Sequence, residues 1–288
     1  MEAVWEELIS LHPEGHDTFD VLGPAREHRA TDSHPTDWST EGSALDAALV
    51  ADDWPLPLTE DREGYYGPHH FSYWASGLRD TRLLFEAADR LGVEMRDYLD
   101  LGCASGRVIR HVAAAGRGTK VFGCDINRRH VDWVSSHLSP DITVFQNHSV
   151  PQLPLPDSSL DAVTAYSVFT HIEVFDTTWL MELRRVLRPG GIAWVTIQSD
   201  LTWGSMGPGW PVYDALSTME DFAPYVDHRG PLPRERLVFR IRADRSYTSN
   251  VFYDRDYVHR TWSRVMPIAE EHHRHPDLQD VVILRKER

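Results

Sequence analysis

Small residues occupy every second position in the stretch RDYLDLGCASGRVIRHVAAAG, between an apolar run and a helical pattern. They are Gly102, Ala104 and Gly106. Glycine lets a strand turn sharply into a helix, and a small residue lets a ligand approach the main chain. Backbone N–H groups at such a helix start can bind an anion. The spacing is one residue shorter than in the Gly-x-Gly-x-x-Gly turn of dinucleotide sites, which disfavours a nicotinamide cofactor.

An acidic residue ends the next predicted strand, in VFGCDIN. In a doubly wound sheet Asp125 would lie beside the first turn, where a carboxylate can accept hydrogen bonds from ribose hydroxyls. The alternative is a helix N-cap, a position that Asn127 suits better. Asn147, after the third predicted strand, carries a donor and an acceptor for an adenine edge, or it makes a turn. These positions predict a nucleoside pocket.

Two histidines are candidates for a general base. His171 follows the fourth predicted strand, and open α/β sheets bind ligands at the carboxyl ends of their strands. His70 lies in the aromatic-rich stretch GYYGPHHFSYWASG, which we interpret either as a lid over cofactor and acceptor or as cover for a sheet edge. An imidazole titrates near neutral pH, which suits it to take a proton from a hydroxyl. A structural role stays open for each histidine.

The run EEHHRH, from Glu270 to His275, resembles a metal-binding cluster. In a strand, however, His272 and His273 would point to opposite faces. Histidine-rich hairpin tips are usually solvated, and no trio of Asp and Asn residues follows the strands. We therefore expect no metal site and no requirement for a metal.

Strands and helices alternate from about residue 78 to residue 200, which predicts βαβ units and a mostly parallel sheet. The strands are continuous apolar runs, as in a sheet covered on both faces. We predict a helix over TRLLFEAADRLG and another that starts at Asp176 and is stopped by Pro189 and two glycines. The rhythm breaks over 201–252, where RLVFRIRADRSYTSNVFY suggests a hairpin. An antiparallel strand pair follows near the end, and VWEELI at 4–9 suggests a short helix.

Composition disfavours several classes of partner. The 288 residues carry a formal net charge of −15, which disfavours a nucleic acid or an anionic membrane. The acidic start does not resemble a signal peptide, and no apolar run approaches the length of a membrane span. Two cysteines make no disulfide framework, so we expect a cytoplasmic protein with both thiols reduced.

Four stretches together resemble the class I S-adenosylmethionine-dependent methyltransferases. They are LDLGCASGR, VFGCDIN, VPQLPLPDSSLDAVTAYSVFTHI and LRRVLRPGGIAWVT. The last two are the most specific, and they are most like bacterial enzymes that act on saccharides, secondary metabolites or other small molecules. The resemblance implies a Rossmann-like, doubly wound α/β sheet of seven strands, mostly parallel, with an antiparallel C-terminal pair. We expect an N-terminal extension and lid over 1–77, and a core over 78–288 with a cap-like insertion at about 201–252.

The resemblance also implies roles for individual residues. S-adenosyl-L-methionine would be the cofactor and S-adenosyl-L-homocysteine the product. Asp100 would lie near the cofactor ammonium group, and the turn Gly102, Cys103, Ala104 and Gly106 would wrap its methionine part. Asp125 would hold the ribose, Ile126 would pack on the adenine, Asn147 and the His148 amide would meet the adenine edge, and the Tyr166 carbonyl would close the methionine end. Ala104 departs from the glycine usual in the family, and its methyl group is tolerable only at negative φ.

The predicted reaction is in-line methyl transfer to a small-molecule acceptor, most simply a hydroxyl of a sugar or secondary metabolite. An N- or C-methyltransferase and a repurposed, non-catalytic cofactor-binding protein are the alternatives. Residues 1–75 and the insertion should form the acceptor pocket. The insertion's aromatic residues either line that pocket or anchor the insertion to the core. No nucleic-acid or membrane partner is expected, and the sequence does not indicate an oligomeric state.

Overall fold

The computed structural model describes residues 42–117, 120–226, 230–240, 249–273 and 279–287. The helix predicted at 4–9 lies outside these residues. The chain forms two compact units. Among the described residues, the first unit contains 42–147 and 160–163, and the second contains 148–159 and the chain from 164 onwards.

The first unit carries the start of the βαβ pattern. Its elements are α1 (Gly42–Ala51), a short 3-10 helix (Glu60–Arg62), α2 (His70–Arg90), β1 (Asp97–Leu101), α3 (Ile109–Ala114), β2 (Lys120–Asp125), α4 (Arg128–His137), β3 (Ile142–Gln146) and the start of β4 (Leu160–Ala165). The strand order is β3-β2-β1-β4, and β1 pairs parallel to β2 and β2 to β3. All five residues of β1 are buried, as expected for a strand covered on both faces.

The second unit continues from the end of β4. Its further elements are α5 (Asp176–Val186), β5 (Leu187–Ser199), α6 (Asp200–Ser205), α7 (Pro211–Leu216), a 3-10 helix (Glu220–Tyr225), β6 (Arg236–Arg240), β7 (Ser249–Tyr253), α8 (Arg255–Trp262), β8 (Ile268–His272) and β9 (Asp280–Arg285). The strand order is β4-β5-β7-β6, and β9 pairs with both β5 and β8. The β5/β9, β8/β9 and β6/β7 pairs are antiparallel.

The predicted α/β fold is confirmed, with a mostly parallel sheet and antiparallel C-terminal strands. The predicted count of seven strands is wrong, because the described residues form a nine-stranded sheet. The two further strands are β6 and β7, which we had placed in a cap-like insertion. They join the sheet because β7 pairs parallel to the end of β5 at Gln198 and Ser199.

Two predicted helix boundaries are wrong. The helix α2 begins at His70 rather than Thr81, because its first turns carry the buried side chains of Phe71 and Trp74. It therefore runs through residue 77, where we had placed a domain boundary. The helix α5 ends at Val186, before Pro189, and the Pro-Gly-Gly stretch lies in β5.

The described residues contain no helix that is both long enough and apolar enough to cross a membrane.

Candidate active site

The glycine turn after β1 requires left-handed backbone at three positions. The φ angles are 72° at Gly102, 45° at Ala104 and 87° at Gly106. A Cβ atom added at Gly106 would lie 2.4 Å from Cδ1 of Leu138, so the Leu138 side chain would have to shift to admit it. Ala104 therefore adopts the positive φ at which its methyl group is unfavourable.

Most backbone N–H groups of the turn donate hydrogen bonds to other atoms of the protein. The amides of Gly102 and Cys103 both donate to the carbonyl of Cys124, at 2.8 and 3.0 Å. The Ala104 amide donates to Oδ2 of Asp125 at 2.8 Å, and the Gly106 amide donates to the Cys103 carbonyl at 2.9 Å. Four of the amides from 102 to 106 are thus already bonded, so an anion near the turn needs other donors.

Asp125 fixes the turn through its carboxylate. One oxygen accepts from the Ala104 amide, and the other accepts from the Asn127 amide at 2.8 Å. Its carbonyl accepts from the Asn147 amide at 3.1 Å. The side chain of Asn127, as expected, caps α4 by accepting from the Arg129 amide. The predicted ribose acid therefore links the ends of β1, β2 and β3, while its role toward ribose stays a prediction.

The structure adds a histidine beside this acid that sequence reasoning did not identify. His130 is only 5% exposed, with Nδ1 at 3.5 Å from Oδ1 of Asp125 and Nε2 at 3.8 Å from Oε1 of Glu63. Burial alone would lower the pKa of His130, but the charges of Asp125 and Glu63 outweigh it and raise that pKa, against the smaller effect of Arg129. His130 therefore favours its protonated form between two carboxylates.

The other predicted adenine-side residues lie at the ends of the same strands. The Ile126 side chain is half-buried, and its carbonyl accepts from Nε2 of Gln146 at 3.1 Å. Asn147 is buried in the first unit, whereas His148 is exposed and belongs to the second. Asp100, near the end of β1, is buried. Their roles toward a cofactor stay predictions.

A buried ion pair fastens the chain before α2 to the helix that follows the glycine turn. Arg110 of α3 makes a bidentate contact with Asp52, at 2.6 and 2.8 Å, and both side chains are fully buried. Trp74 donates to the same carboxylate at 2.7 Å. The Ser105 hydroxyl, within the turn, donates to the Asp61 carbonyl. The segment before α2 is therefore part of the wall around the turn.

The hydrogen bond of His70 argues against its role as a base. Nη1 of Arg62 lies 3.0 Å from Nδ1 of His70. A guanidinium can only donate, so Nδ1 accepts, and a neutral ring then carries its hydrogen on Nε2. Such a ring has no lone pair left to take a proton while the Arg62 contact is kept.

His171 has the opposite arrangement, within the second unit. Its Nδ1 lies 2.5 Å from the carbonyl oxygen of Ser249 at the start of β7. A carbonyl can only accept, so Nδ1 carries the hydrogen and a neutral ring has its lone pair on Nε2. His171 follows the turn after β4 that begins at Tyr166, which is half-buried. The role of His171 as a general base stays a prediction.

The aromatic residues of the insertion mostly form a small core of their own. Trp203, Tyr213, Phe222, Phe239 and Phe252 are all buried in one cluster with aliphatic residues. Their burial favours the anchoring interpretation for these five. Trp210 and Tyr225 are only partly buried against the cluster.

The predicted absence of a metal site remains a prediction. Glu271 contacts His259 at 3.0 Å, His272 contacts Glu270 at 3.1 Å, and His273 contacts Asp280 at 3.3 Å. The described residues contain no group of three or more side chains arranged to hold a metal ion. His275 lies outside them.

Part of the chain is similar to known methyltransferases. Residues 99–195 match the family model described as a methyltransferase domain. A probable S-adenosylmethionine-dependent methyltransferase of Mycolicibacterium smegmatis is 32% identical over 150 residues, which are 51% of this chain and 54% of that protein. A sterol 24-C-methyltransferase of Gibberella zeae is 33% identical over 138 residues, 45% of this chain and 36% of that protein. The chain thus spans about half the length, or less, of these curated relatives.

A solved structure supports the fold. The S-adenosylmethionine-dependent methyltransferase from Mesorhizobium loti superposes with a TM-score of 0.50 at 15% identity, over 70% of this chain and 96% of that one. At this identity the likeness concerns the fold alone. The match over 99–195 includes the glycine turn, Asp125 and the strands that hold them. Residues 99–195 therefore match a methyltransferase domain, and the fold is that of an S-adenosylmethionine-dependent methyltransferase.

Proposed function

We propose that the protein transfers the methyl group of S-adenosylmethionine to a hydroxyl of a small molecule, such as a sugar or a secondary metabolite. The observation that carries the choice of a hydroxyl is the 2.5 Å contact between Nδ1 of His171 and the Ser249 carbonyl. A hydroxyl acceptor must lose its proton as it is methylated, and the neutral His171 tautomer with its hydrogen on Nδ1 has its basic nitrogen at Nε2. An acceptor without such a proton would not need this tautomer.

The residues of the first unit fit the cofactor. The glycine turn leaves space by using left-handed backbone in place of side chains, and Asp125 holds the turn in shape through the Ala104 amide. Each oxygen of Asp125 keeps acceptor capacity for a ribose hydroxyl, since a carboxylate oxygen accepts more than one hydrogen bond. Asn147 and Ile126 would then meet the adenine.

The chemistry divides simply between the cofactor and the chain. S-adenosylmethionine, when bound, supplies a methyl group made electrophilic by its sulfonium. The chain has to align the acceptor oxygen and exclude water, and alignment alone can supply roughly 7–11 kcal/mol. His171 then takes the hydroxyl proton on Nε2, while the Ser249 carbonyl stabilises the hydrogen, and the positive charge, on Nδ1.

A C-methyltransferase is the second candidate, because a relative is named as a sterol 24-C-methyltransferase. A repurposed protein that binds the cofactor without turnover is the third. A screen of sugars, secondary metabolites and sterols with methyl-labelled cofactor separates the three. Label transferred to oxygen supports the proposal, label on carbon supports the second candidate, and tight binding without transfer supports the third.

The base is tested by His171→Ala, with His70→Ala for comparison. Loss of a general base should lower the turnover rate by roughly 10²–10⁴ and leave cofactor affinity in place. Turnover and affinity are measured separately, by label transfer and calorimetry. Normal turnover in His171→Ala, or a larger loss in His70→Ala, would contradict the assignment.

A further inference from the structure

Tyr73 carries a buried hydroxyl that the protein leaves unbonded. Its side chain lies in the first turn of α2 and is only 2% exposed. The hydroxyl oxygen has no hydrogen-bond partner among the described residues. Buried polar groups are nearly always bonded, so an exception in a folded protein points to a partner that the chain itself does not supply.

Arg62 places a positive charge against the same ring. Its Cζ atom lies 5.0 Å from the centre of the Tyr73 ring, and Arg62 is also only 2% exposed. Among the described residues, its hydrogen bonds all go to neutral acceptors, namely the carbonyls of Pro57, Tyr65 and Gly67 and the ring of His70. A buried charge is normally paired with an opposite one. Burial is the main influence on the pKa of Arg62 and lowers it.

The remaining arginines near Tyr73 are already neutralised. Arg110 is paired with Asp52, and Arg107 is paired with Asp80 at 2.5 Å. Burial raises the pKa of Tyr73, and the charges of the three arginines oppose this increase. Cys103 of the glycine turn raises the pKa further by a smaller amount. Among these three arginines, Arg62 is the one whose guanidinium group is not paired with a carboxylate, and it lies against the ring of Tyr73.

Both residues border the glycine turn. Asp61, the neighbour of Arg62, accepts a hydrogen bond from Ser105 in the turn. Gly77 lies one helical turn after Tyr73 on the same face of α2. A Cβ atom at Gly77 would lie 1.9 Å from the carbonyl oxygen of Arg107, so this face of α2 touches the chain directly after the turn. Tyr73 and Arg62 thus belong to elements that contact the turn or the chain directly after it. Most of the turn's own amides are used elsewhere.

We propose that Tyr73 binds the carboxylate of the cofactor's methionine part by donating its hydroxyl hydrogen, with Arg62 supplying the compensating positive charge. The assignment rests on the proposed function, since it requires a cofactor with an amino-acid end at this turn. A hydroxyl donor beside a guanidinium suits a carboxylate, because hydrogen bonds to a charged acceptor are the stronger ones.

The test compares Tyr73→Phe with the wild-type protein by calorimetry with two ligands. S-adenosylhomocysteine carries the carboxylate, and 5′-methylthioadenosine is the same nucleoside thioether without the amino acid. Tyr73→Phe should weaken the binding of S-adenosylhomocysteine about tenfold and leave the affinity for 5′-methylthioadenosine unchanged. The melting temperature of the free variant should not fall, since the lost hydroxyl is unbonded. The control is Tyr66→Phe, whose exposed ring packs edge-on against Tyr73 at 6.1 Å.

A second measurement needs no variant. Wild-type protein should bind decarboxylated S-adenosylmethionine at least tenfold more weakly than S-adenosylmethionine. Equal binding of that pair, equal weakening of both ligands in Tyr73→Phe, or no weakening of S-adenosylhomocysteine would overturn the assignment alone. Wild-type protein that binds none of these nucleosides would overturn the proposed function and this assignment with it.

Discussion

Ala104 is the residue of the glycine turn whose side chain is unfavourable at its backbone φ angle. Its φ of 45° is left-handed, which costs an alanine about 1–2 kcal/mol relative to glycine. Glycine recovers that strain but adds freedom to the unfolded chain, worth about 0.4–1 kcal/mol. We predict that Ala104→Gly raises the free energy of unfolding by about 0.5 kcal/mol, as measured by urea denaturation.

The control for this change is Ala113→Gly, because Ala113 lies inside the helix α3. There the same substitution should lower the free energy of unfolding by about 0.5–1 kcal/mol. If both variants lose stability equally, the left-handed strain at Ala104 is not real.

His130 predicts a pH dependence of stability. Since Asp125 and Glu63 raise its pKa in the folded protein above the value in the unfolded chain, folding takes up a proton. This contribution is fully present below the unfolded pKa of about 6.5 and is lost as pH rises through the folded pKa. We predict that the stability advantage of wild type over His130→Gln shrinks as pH rises above about 6.5.

The measurement is the free energy of unfolding of both proteins between about pH 5.5 and 9, a range centred on the histidine titration. His69→Gln, at an exposed position, is the matched control for the change of a histidine to glutamine. Parallel profiles for His130→Gln and wild type would show that His130 does not gain a proton on folding.

At this scale the sequence revealed some of the candidate site but not all of it. Asp125 and the small residues of the turn are recognisable because backbone geometry restricts their types and spacing. Three other residues could not be recognised from the sequence. Arg62 and Tyr73 are distinguished by burial without a matching partner, and His130 by burial between two carboxylates. Those properties depend on where the segment before α2 packs, and that segment has no clear periodicity.

The segment before α2 is tied to α3 by the ion pair between Asp52 and Arg110, and by hydrogen bonds from Arg110 to the carbonyls of Trp54 and Pro55. Burial alone would raise the pKa of Asp52, but the charge and hydrogen bonds of Arg110 outweigh it and hold that pKa below its usual range. Asp52→Asn would leave Arg110 buried without a carboxylate. We predict a loss of about 3 kcal/mol in the free energy of unfolding, measured by denaturant titration.

The adjacent Asp53 is exposed, so Asp53→Asn is the matched control and should change stability by less than about 0.5 kcal/mol. A loss below about 1 kcal/mol in Asp52→Asn would mean that the pair does not anchor the segment.

Elements of the chain were predictable where the apolar pattern was continuous. The helix α5 begins at Asp176, as predicted, and β6 and β7 form an antiparallel pair within RLVFRIRADRSYTSNVFY, where we expected a hairpin. The start of α2 was missed because its first turns are aromatic rather than regularly amphipathic. We predicted that the Pro-Gly-Gly stretch ends a helix, because these residues usually stop helices. Backbone hydrogen bonds between Gly190, Gly191 and Lys286 instead pair it with the chain after β9.

At the scale of the whole molecule, we predict that the chain binds a sulfonium nucleoside and its demethylated product. The net charge disfavours some partners, and the family resemblance predicted the fold, but neither names the acceptor. The antiparallel pair β6/β7 joins the sheet through only two residues of β5, which is too little for a sequence pattern to reveal.

Calorimetry of the purified protein with S-adenosylhomocysteine and with NAD tests this claim most directly. Wild-type protein should bind S-adenosylhomocysteine and give no binding heat with NAD. Asp125→Ala should weaken the binding of S-adenosylhomocysteine by about 1.5–3 kcal/mol. Asp141→Ala, at an exposed position after α4, should leave this binding unchanged. NAD binding without S-adenosylhomocysteine binding would contradict the account, and an unchanged affinity in Asp125→Ala would show that the ribose lies elsewhere.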